Sequence, residues 1–362
     1  EESFVSYMDV KTAADRWELT ERRITTLCRD GRIAGAKKEG GLWLIPDDAE
    51  KPADGRRNKS SRAMKTTAKL PLPIGVSDFK ELVSGYYYVD KTLMLKEFID
   101  SKPKVSLFTR PRRFGKTLAM DMLKTFFEVS DTDTSKYFKN KKIWSCGEEY
   151  RREQGKYPVI FVTFKDIKFA TWEQTYTAIR EIIANEYLRH DVLLTSDKCN
   201  DFEKDVDGTI TEVSMARAFL ELSHMLNKHY GRPAVIIIDE YDTPIQQGYT
   251  EGYYEQITGF MRNLLSGAFK DNSNLSYGFL TGILRVAKES IFSGLNNLKV
   301  NSILEDRYSE YFGFTKDEIR DIMEYYGRTD KYEEICEWYD GYRFGDTDIF
   351  NPWSVLNYME IG

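Results

Sequence analysis

Residues 105–127 read VSLFTRPRRFGKTLAMDMLKTFF, and this order of residue types decides the fold. Val105 to Thr109 is a short apolar run of strand type, and Arg110 to Phe114 is a turn punctuated by Pro111. From Thr117 onward, Leu118, Met122, Leu123, Phe126 and Phe127 recur on one helical face. Gly115-Lys116-Thr117 sits at the join. A strand that turns into a helix through such a join gathers backbone N–H groups at the helix N-terminus, where a phosphate is favoured. A lysine there reaches the β- and γ-phosphates, and the following threonine hydroxyl ligates Mg²⁺. The usual spacing begins with a glycine at the position held here by Arg110, and Pro111 has no N–H to offer. The expected nucleotide-binding set is therefore Arg112, Arg113, Phe114, Gly115, Lys116, Thr117 and Leu118, with the two guanidinium groups adding positive charge.

A second stretch, AVIIIDEYDTP at 234–244, supplies the acids that such a loop needs. Val235 to Ile238 form an apolar β-branched run of the kind buried on both faces of a parallel sheet, and it ends in Asp239-Glu240. Asp239 is the expected Mg²⁺ partner of Thr117, and Glu240 the residue that orients and polarises the attacking water, with Asp242 its close competitor. Further on, YGFLTG at 277–282 reads as a strand and turn that carries Thr281, at the position where similar ATPases hold a polar sensor of the γ-phosphate. Arg285 follows, placed either to stabilise transition-state charge, in cis or in a neighbouring subunit, or to pair with a surface carboxylate. Lys116, Glu240, Thr281 and Arg285 are the candidate catalytic residues. Strands alternating with helices, among them YPVIFVTF at 157–164 and the amphipathic run 172–188, imply a parallel sheet.

A wider set of stretches carries a family resemblance. IGVSDFKEL (74–82), YYYVDKT (86–92), FTRPRRFGKTL (108–118), IIIDEYDTPI (236–245), GFLTGILRVAKESIFSGLNN (278–297), YFGFTKDEI (311–319), WYDGYRFG (338–345) and NPWSVLNY (351–358) together resemble the AAA-ATPase-like family of bacterial P-loop proteins. Many of its members carry a C-terminal PD-(D/E)XK nuclease-like domain. The likeness runs from about residue 70 to 362, and the Arg-Pro-Arg-Arg-Phe-Gly-Lys loop is the family's own form of the motif. It implies an α/β fold, a P-loop NTPase parallel sheet flanked by helices, with ATP and Mg²⁺ as ligands. In this reading 71–310 is the core and 311–362 a C-terminal helical lid subdomain, with Asn351 or Pro352 capping the last helix. A homo-oligomer, and a nuclease-like extension or effector outside this chain, belong to the same expectation.

The first 49 residues read as a separate module. Val10 to Trp17 form one short helix, and Thr20 caps a second over 21–30, with Ile24, Leu27 and Cys28 facing inward and Gly31 closing it. RIAGAKKEGGLWLIP at 32–46 then reads as two strands about a glycine turn. Two helices and a wing resemble the MerR/excisionase-type winged helix-turn-helix. In that plan Arg22 and Arg23 on the second helix and Lys37 and Lys38 in the wing would meet double-stranded DNA, although small winged modules also serve protein contacts. Residues 50–70, EKPADGRRNKSSRAMKTTAKL, lack apolar periodicity and read as a basic flexible linker.

Composition bounds these readings. With 41% hydrophobic residues and a net charge of −6, the 362-residue chain is a folded protein of two or three domains and not a polybasic one. No apolar run reaches the roughly 18 residues needed to span a bilayer, and the expected location is cytoplasmic. Cys28, Cys146, Cys199 and Cys336 form no C-x-x-C pair and are expected as free thiols, while His190, His224 and His229 are expected on solvated helix faces. Two functions of different class remain open: an ATP-driven switch or motor coupled to DNA, and a DNA-binding or scaffold protein that holds nucleotide structurally with little hydrolysis.

Overall fold

The computed structural model describes residues 6–17, 19–29, 31–49, 51, 69–196, 212–283, 291–292, 295, 297–339 and 341–361. They divide into two compact units, Glu1–Lys69 and Leu70–Gly362. Arg285, Cys199 and most of the 50–70 stretch lie outside the described residues.

In the first unit, β1 (Tyr7–Met8), α1 (Val10–Trp17), α2 (Glu21–Arg29), β2 (Lys37–Glu39) and β3 (Leu42–Pro46) follow one another. The strands form an antiparallel sheet in the order β1-β3-β2. Thr20 Oγ1 accepts from the amide of Arg23 at 3.3 Å, which satisfies one of the orphan donors at the start of α2. Gly31 leaves that helix at φ +66°, and Gly40 and Gly41, both at positive φ, make the hairpin turn. Ala13, Trp17, Ile24, Leu27, Cys28, Ile33 and Ile45 are buried together. Arg22, Arg23, Lys37 and Lys38 are all exposed.

The second unit is built on a parallel sheet of β4 (Val105–Thr109), β5 (Val159–Thr163), β6 (Ala234–Asp239), β7 (Leu275–Gly282) and β8 (Leu298–Asn301). Its strand order is β5-β6-β7-β4-β8, so β7 lies between the loop-bearing strand and the acidic one. β6 is buried along its whole length because successive side chains feed opposite faces. Ile236 and Ile238 join one core with Ile160, Val162 and Leu280. Val235 and Ile237 join the other with Phe108, Val159 and Phe279. The first core is closed by α6 (Trp172–Arg189), α7 (Ala218–Tyr230) and α9 (Tyr254–Phe269). The second is closed by α3 (Phe79–Gly85), α4 (Leu93–Ser101) and α5 (Lys116–Phe127). A further helix, α8 (Thr243–Glu251), follows on β6.

Asp78 caps α3 by accepting from the Glu81 amide at 2.7 Å. Residues 86–89, whose aromatic run suggests a strand, are extended without a ladder partner; the Tyr87 amide bonds to Pro71 O at 3.0 Å instead. His190 also departs from expectation. It is buried at the end of α6, with Nε2 3.1 Å from Val159 O, because α6 folds its last turn onto the start of β5.

The C-terminal stretch holds α10 (Lys316–Tyr326), α11 (Tyr332–Tyr339), the hairpin β9 (Tyr342–Phe344) and β10 (Thr347–Ile349), and α12 (Pro352–Ile361). Thr315 and Glu318 form a reciprocal capping box at α10. Asn351 Oδ1 accepts from the amides of Trp353 (3.0 Å) and Ser354 (3.3 Å) and so caps α12. Phe314, Ile322, Phe350, Val355 and Leu356 form a core of their own, and Leu72, Ile74, Tyr87 and Val89 from the start of the unit pack into it. The ends of this unit are therefore packed into one core.

Candidate functional site

The site grows from the carboxyl edge of the sheet, where β4, β6 and β7 end together. Gly115 sits at φ +78° as the N-cap of α5, a conformation that costs a glycine little, and Arg113 two residues earlier is also left-handed at φ +69°. These two reversals bend the chain back over the helix end. Lys116 is buried, and its Nζ donates to Pro111 O at 3.0 Å across the loop. Burial holds its ammonium below the usual lysine value, while Glu240, Asp239 and Asp242 pull it back up.

Asp239, fully buried at the end of β6, is the hub. Thr117 Oγ1 donates to its Oδ2 at 2.8 Å, Thr163 Oγ1 lies 3.3 Å from the same oxygen, and Thr281 Oγ1 donates to Oδ1. Thr281 also accepts from the Glu240 amide at 3.1 Å, and its carbonyl accepts from the Tyr241 amide at 3.0 Å. Glu240 itself has φ +52°. A β-carbon in that region is strained, at a cost of order 1–3 kcal/mol, and such strain persists only where neighbours over-determine the backbone. Here the two Thr281 bonds do so. They turn the chain off β6, and the Glu240 side chain, half-buried, accepts from Thr243 Oγ1 at 3.2 Å on the same cleft wall as Lys116 and Thr117. Asp242 turns the other way: buried, it accepts from Gln246 Nε2 at 2.8 Å and from the Ile283 amide at 2.9 Å, so it anchors the chain that leaves β7.

The cleft beside these groups holds about 330 Å³. Its polar end is Gly115, Lys116, Thr117 and Glu240; its apolar end is Ile74, Val76, Val89, Phe314, Trp353 and Leu356. Leu118 lines it as well, whereas Phe114 is buried with its ring 4.7 Å from that of Tyr342 and 5.2 Å from that of Phe344. Arg112 and Arg113 are exposed; the Arg113 guanidinium lies 3.9 Å over the Trp353 ring, and Arg112 O is 3.5 Å from Asn351 Nδ2.

Arg110 points away from the cleft. Fully buried, it donates to Asn301 O at 2.8 Å and Thr109 O at 2.9 Å, and its guanidinium lies 5.0 Å from the Phe312 ring and 5.2 Å from that of Phe344. Desolvation lowers its pKa to about 10.

A model of the predicted AAA-ATPase family matches residues 73–292. The chain belongs to that family. The matched segment of this predicted AAA-ATPase contains every residue of the cleft's polar end and its first apolar wall, while Phe314, Trp353 and Leu356 lie beyond it. The chain is also 28% identical, over 292 residues, to an uncharacterized protein in the vnfD 5′ region of Azotobacter chroococcum mcd 1. That alignment covers 80% of this chain and 52% of the relative, so the chain spans about half the length of the curated relative it matches. No solved structure matches.

The structure thus brings Lys116, Thr117, Asp239, Glu240 and Thr281 into one cluster. Three contributors were not assigned to the site by the sequence reading. Thr163 ends the run YPVIFVTF, where a lone polar residue at a strand's carboxyl end is a usable signal. The strap at Ile74–Val76 was legible only as a motif without a role, and the α12 residues Trp353 and Leu356 only as part of the expected lid. Among the described residues no group of three or more His, Cys, Asp or Glu side chains could hold a metal ion, and Cys28, Cys146 and Cys336 are free. No helix among them is long and apolar enough to cross a membrane.

Proposed function

We propose that this protein is a P-loop ATPase that binds Mg-ATP with the triphosphate on Gly115–Thr117 and the base in the apolar end of the cleft. The observation that carries the reading is the Asp239 hub, a fully buried carboxylate that collects three threonine hydroxyls within reach of the Lys116 loop. A buried anion with hydroxyl partners on every side is held at a cost unless a cation accompanies it. The donors are all hard oxygens, which suits Mg²⁺, and Thr117 and Asp239 would hold it. When bound, the ion would draw charge from the β- and γ-phosphates.

In this reading the residues of the chain divide the work. Lys116, disfavoured as a cation by burial, is relieved when phosphate oxygens reach it. Thr281 acts as a positioning residue: its hydroxyl is committed to Asp239 and to the Glu240 amide, and so it sets both acids. Glu240 accepts the proton of the attacking water and orients it. Arg285 follows β7 by three residues and is the candidate for stabilising the leaving charge.

Nucleotide turnover would act as a switch read out through the first unit. Arg22 and Arg23 stand exposed on α2 and Lys37 and Lys38 on β2, opposite the buried Ile24 and Leu27, which is the charge placement a winged helix-turn-helix uses on duplex DNA. The test separates binding from chemistry. Glu240→Gln keeps shape and hydrogen bonding but loses the base, so Kd for Mg-ATP stays within about twofold while turnover falls by about 10²–10³. Parental turnover in that variant rejects Glu240 as the base. A parent that binds ATP without releasing phosphate supports the structural-nucleotide scaffold.

A further inference from the structure

Between α5 and β5 the chain runs through KYFKNKKIWSCGEEYRR, residues 136–152, with six basic residues against two acidic ones in a protein whose net charge is −6. The fold does not disperse this charge. Lys139, Lys141, Lys142 and Arg151 line one open, shallow cleft together with Asn140 and Trp144. Asp90 lies at its edge, but its carboxylate is committed to the amides of Thr92 at 2.9 Å and Lys142 at 2.7 Å and to the Thr92 hydroxyl at 2.6 Å.

The ion pairs within the patch are weak ones. Lys139 meets Asp133 at 3.3 Å and Arg151 meets Glu148 at 3.6 Å, both largely in solvent, where such pairs contribute roughly 0–1 kcal/mol and yield to a competing anion. The Lys141 ammonium sits 5.3 Å over the Tyr88 ring, and the Lys142 ammonium has no ion-pair or hydrogen-bond partner among the described residues. Lys142 is also near enough to Lys91 to help lower its pKa, after burial, the main cause. Like charges brought this close repel one another until a polyanion neutralises them.

We infer that this cleft is a binding site for the phosphate backbone of single-stranded nucleic acid, with Lys139, Lys141 and Lys142 meeting successive phosphates and the half-buried Trp144 ring, which the Arg151 guanidinium approaches to 5.9 Å while its Nε donates to Trp144 O at 2.8 Å, stacking with a base. The pairing of a basic track with an aromatic face and an amide donor suits unpaired nucleotides, whose bases are free to stack, better than a duplex. An acidic peptide would neutralise the charge without using Trp144. The cleft also adjoins the nucleotide site. Tyr88 and Lys91 line the ATP cleft, while Asp90 lines the basic one, so residues 88–91 are a wall common to both. Lys141, on the far side of Tyr88, is the point where one ligand would be felt by the other.

The experiment is fluorescence anisotropy of a labelled 20-nucleotide oligo(dT) titrated with the full chain across a salt series, without nucleotide. The variant Lys141→Glu/Lys142→Glu is compared in the parent and in a background with Arg22, Arg23, Lys37 and Lys38 changed to Ala, so that the first unit is accounted for. Lys142 is exposed and Lys141 half-exposed, and the bond to Asp90 uses the Lys142 backbone, so the hydrogen bonds of the fold are retained. Affinity is expected to fall at least tenfold, and the slope of log K against log salt to shrink by about 1.4 for two lost contacts at ~0.7 each. Lys228→Glu/Lys270→Glu, the same change in net charge on exposed lysines elsewhere, is expected to bind as the parent does. Equal weakening in that control, an unchanged slope in the cleft variant, or displacement by polyglutamate as efficient as by unlabelled oligo(dT) overturns the inference. Should the double variant unfold at a lower urea concentration, Lys142→Gln carries the same comparison with a smaller drop. The result stands apart from the ATPase reading, since no step of it requires nucleotide.

Discussion

Thr281→Val tests the arrangement of the acids most directly, because valine matches threonine in shape and removes only the hydroxyl. In the parent that hydroxyl is fully buried, donates to Asp239 and accepts from the Glu240 amide. Its loss strips one donor from a buried carboxylate, worth roughly 1.5–3 kcal/mol, and orphans a backbone N–H, worth about 1–3 kcal/mol. The two share one atom and are not additive, so the expected loss of stability is about 3–4 kcal/mol. The Glu240 backbone, held at φ +52° partly by that bond, should then relax, and its carboxylate should leave the position facing Lys116. Turnover of Mg-ATP is accordingly expected to drop by ~10²-fold or more, while Kd changes less, since Lys116 and Thr117 are untouched. Thr281→Ser restores the hydroxyl and should recover turnover with a residual cost of about 1 kcal/mol for the missing methyl. The assays are urea denaturation in EDTA and single-turnover phosphate release. A Val variant as stable and as active as the parent refutes the argument, since it would mean that neither acid depends on this hydroxyl.

Lys116 gives a pH dependence whose sign follows from its burial. Its folded-state pKa lies below the ordinary 10.5, so above that lowered pKa the apo loop is neutral, ATP must bring a proton with it, and affinity in EDTA should fall by up to tenfold per pH unit, measured by calorimetry. The stability of the apo protein should move the other way. The buried ammonium opposes folding below the lowered pKa, and that cost is relieved as pH rises through it; Lys116→Met should abolish both trends. In the first unit, changing Arg22, Arg23, Lys37 and Lys38 to Ala should weaken duplex DNA binding and shrink the salt slope by about 0.9 per lost phosphate contact. An unchanged slope would assign this surface to protein contacts.

How much of this was legible in the sequence depended on whether the signal was local. α1 and β6 with its terminal acid are written in short-range periodicity and in residues whose role is fixed by their immediate neighbours, and they fall at the residues the pattern indicates. The Thr163 and Thr281 contacts with Asp239 were not legible, because they depend on sheet order, which places β5 and β7 on either side of β6. The run 86–89 misled for the opposite reason: its aromatic residues suit a strand, but tertiary packing against Tyr325, Tyr326 and Pro71 uses them as a wall. His190 was read as solvated from a helical pattern that says nothing of what the helix end touches.

Arg110 shows how the loop after β4 departs from the glycine-led pattern. In the usual spacing the first glycine lets the chain leave its strand in a tight turn. Here the departure is made by Pro111, which fixes its own φ, and by Arg113 and Gly115 in left-handed conformations. That frees the first position for a long side chain, which runs beneath the loop to Asn301 on β8 and to the Phe312 and Phe344 rings. Its Nε has no hydrogen-bond partner among the described residues, and burial lowers the pKa, so the arginine costs the fold something to keep. What it supplies is a tie between the loop after β4, the outer strand and the C-terminal hairpin, whose neighbour α12 completes the cleft through Trp353 stacked on Arg113. A displacement of the loop by phosphate would therefore be transmitted to α12 along two arginines, one buried and one exposed. A loop led by glycine has no side chain with which to make the first of these ties.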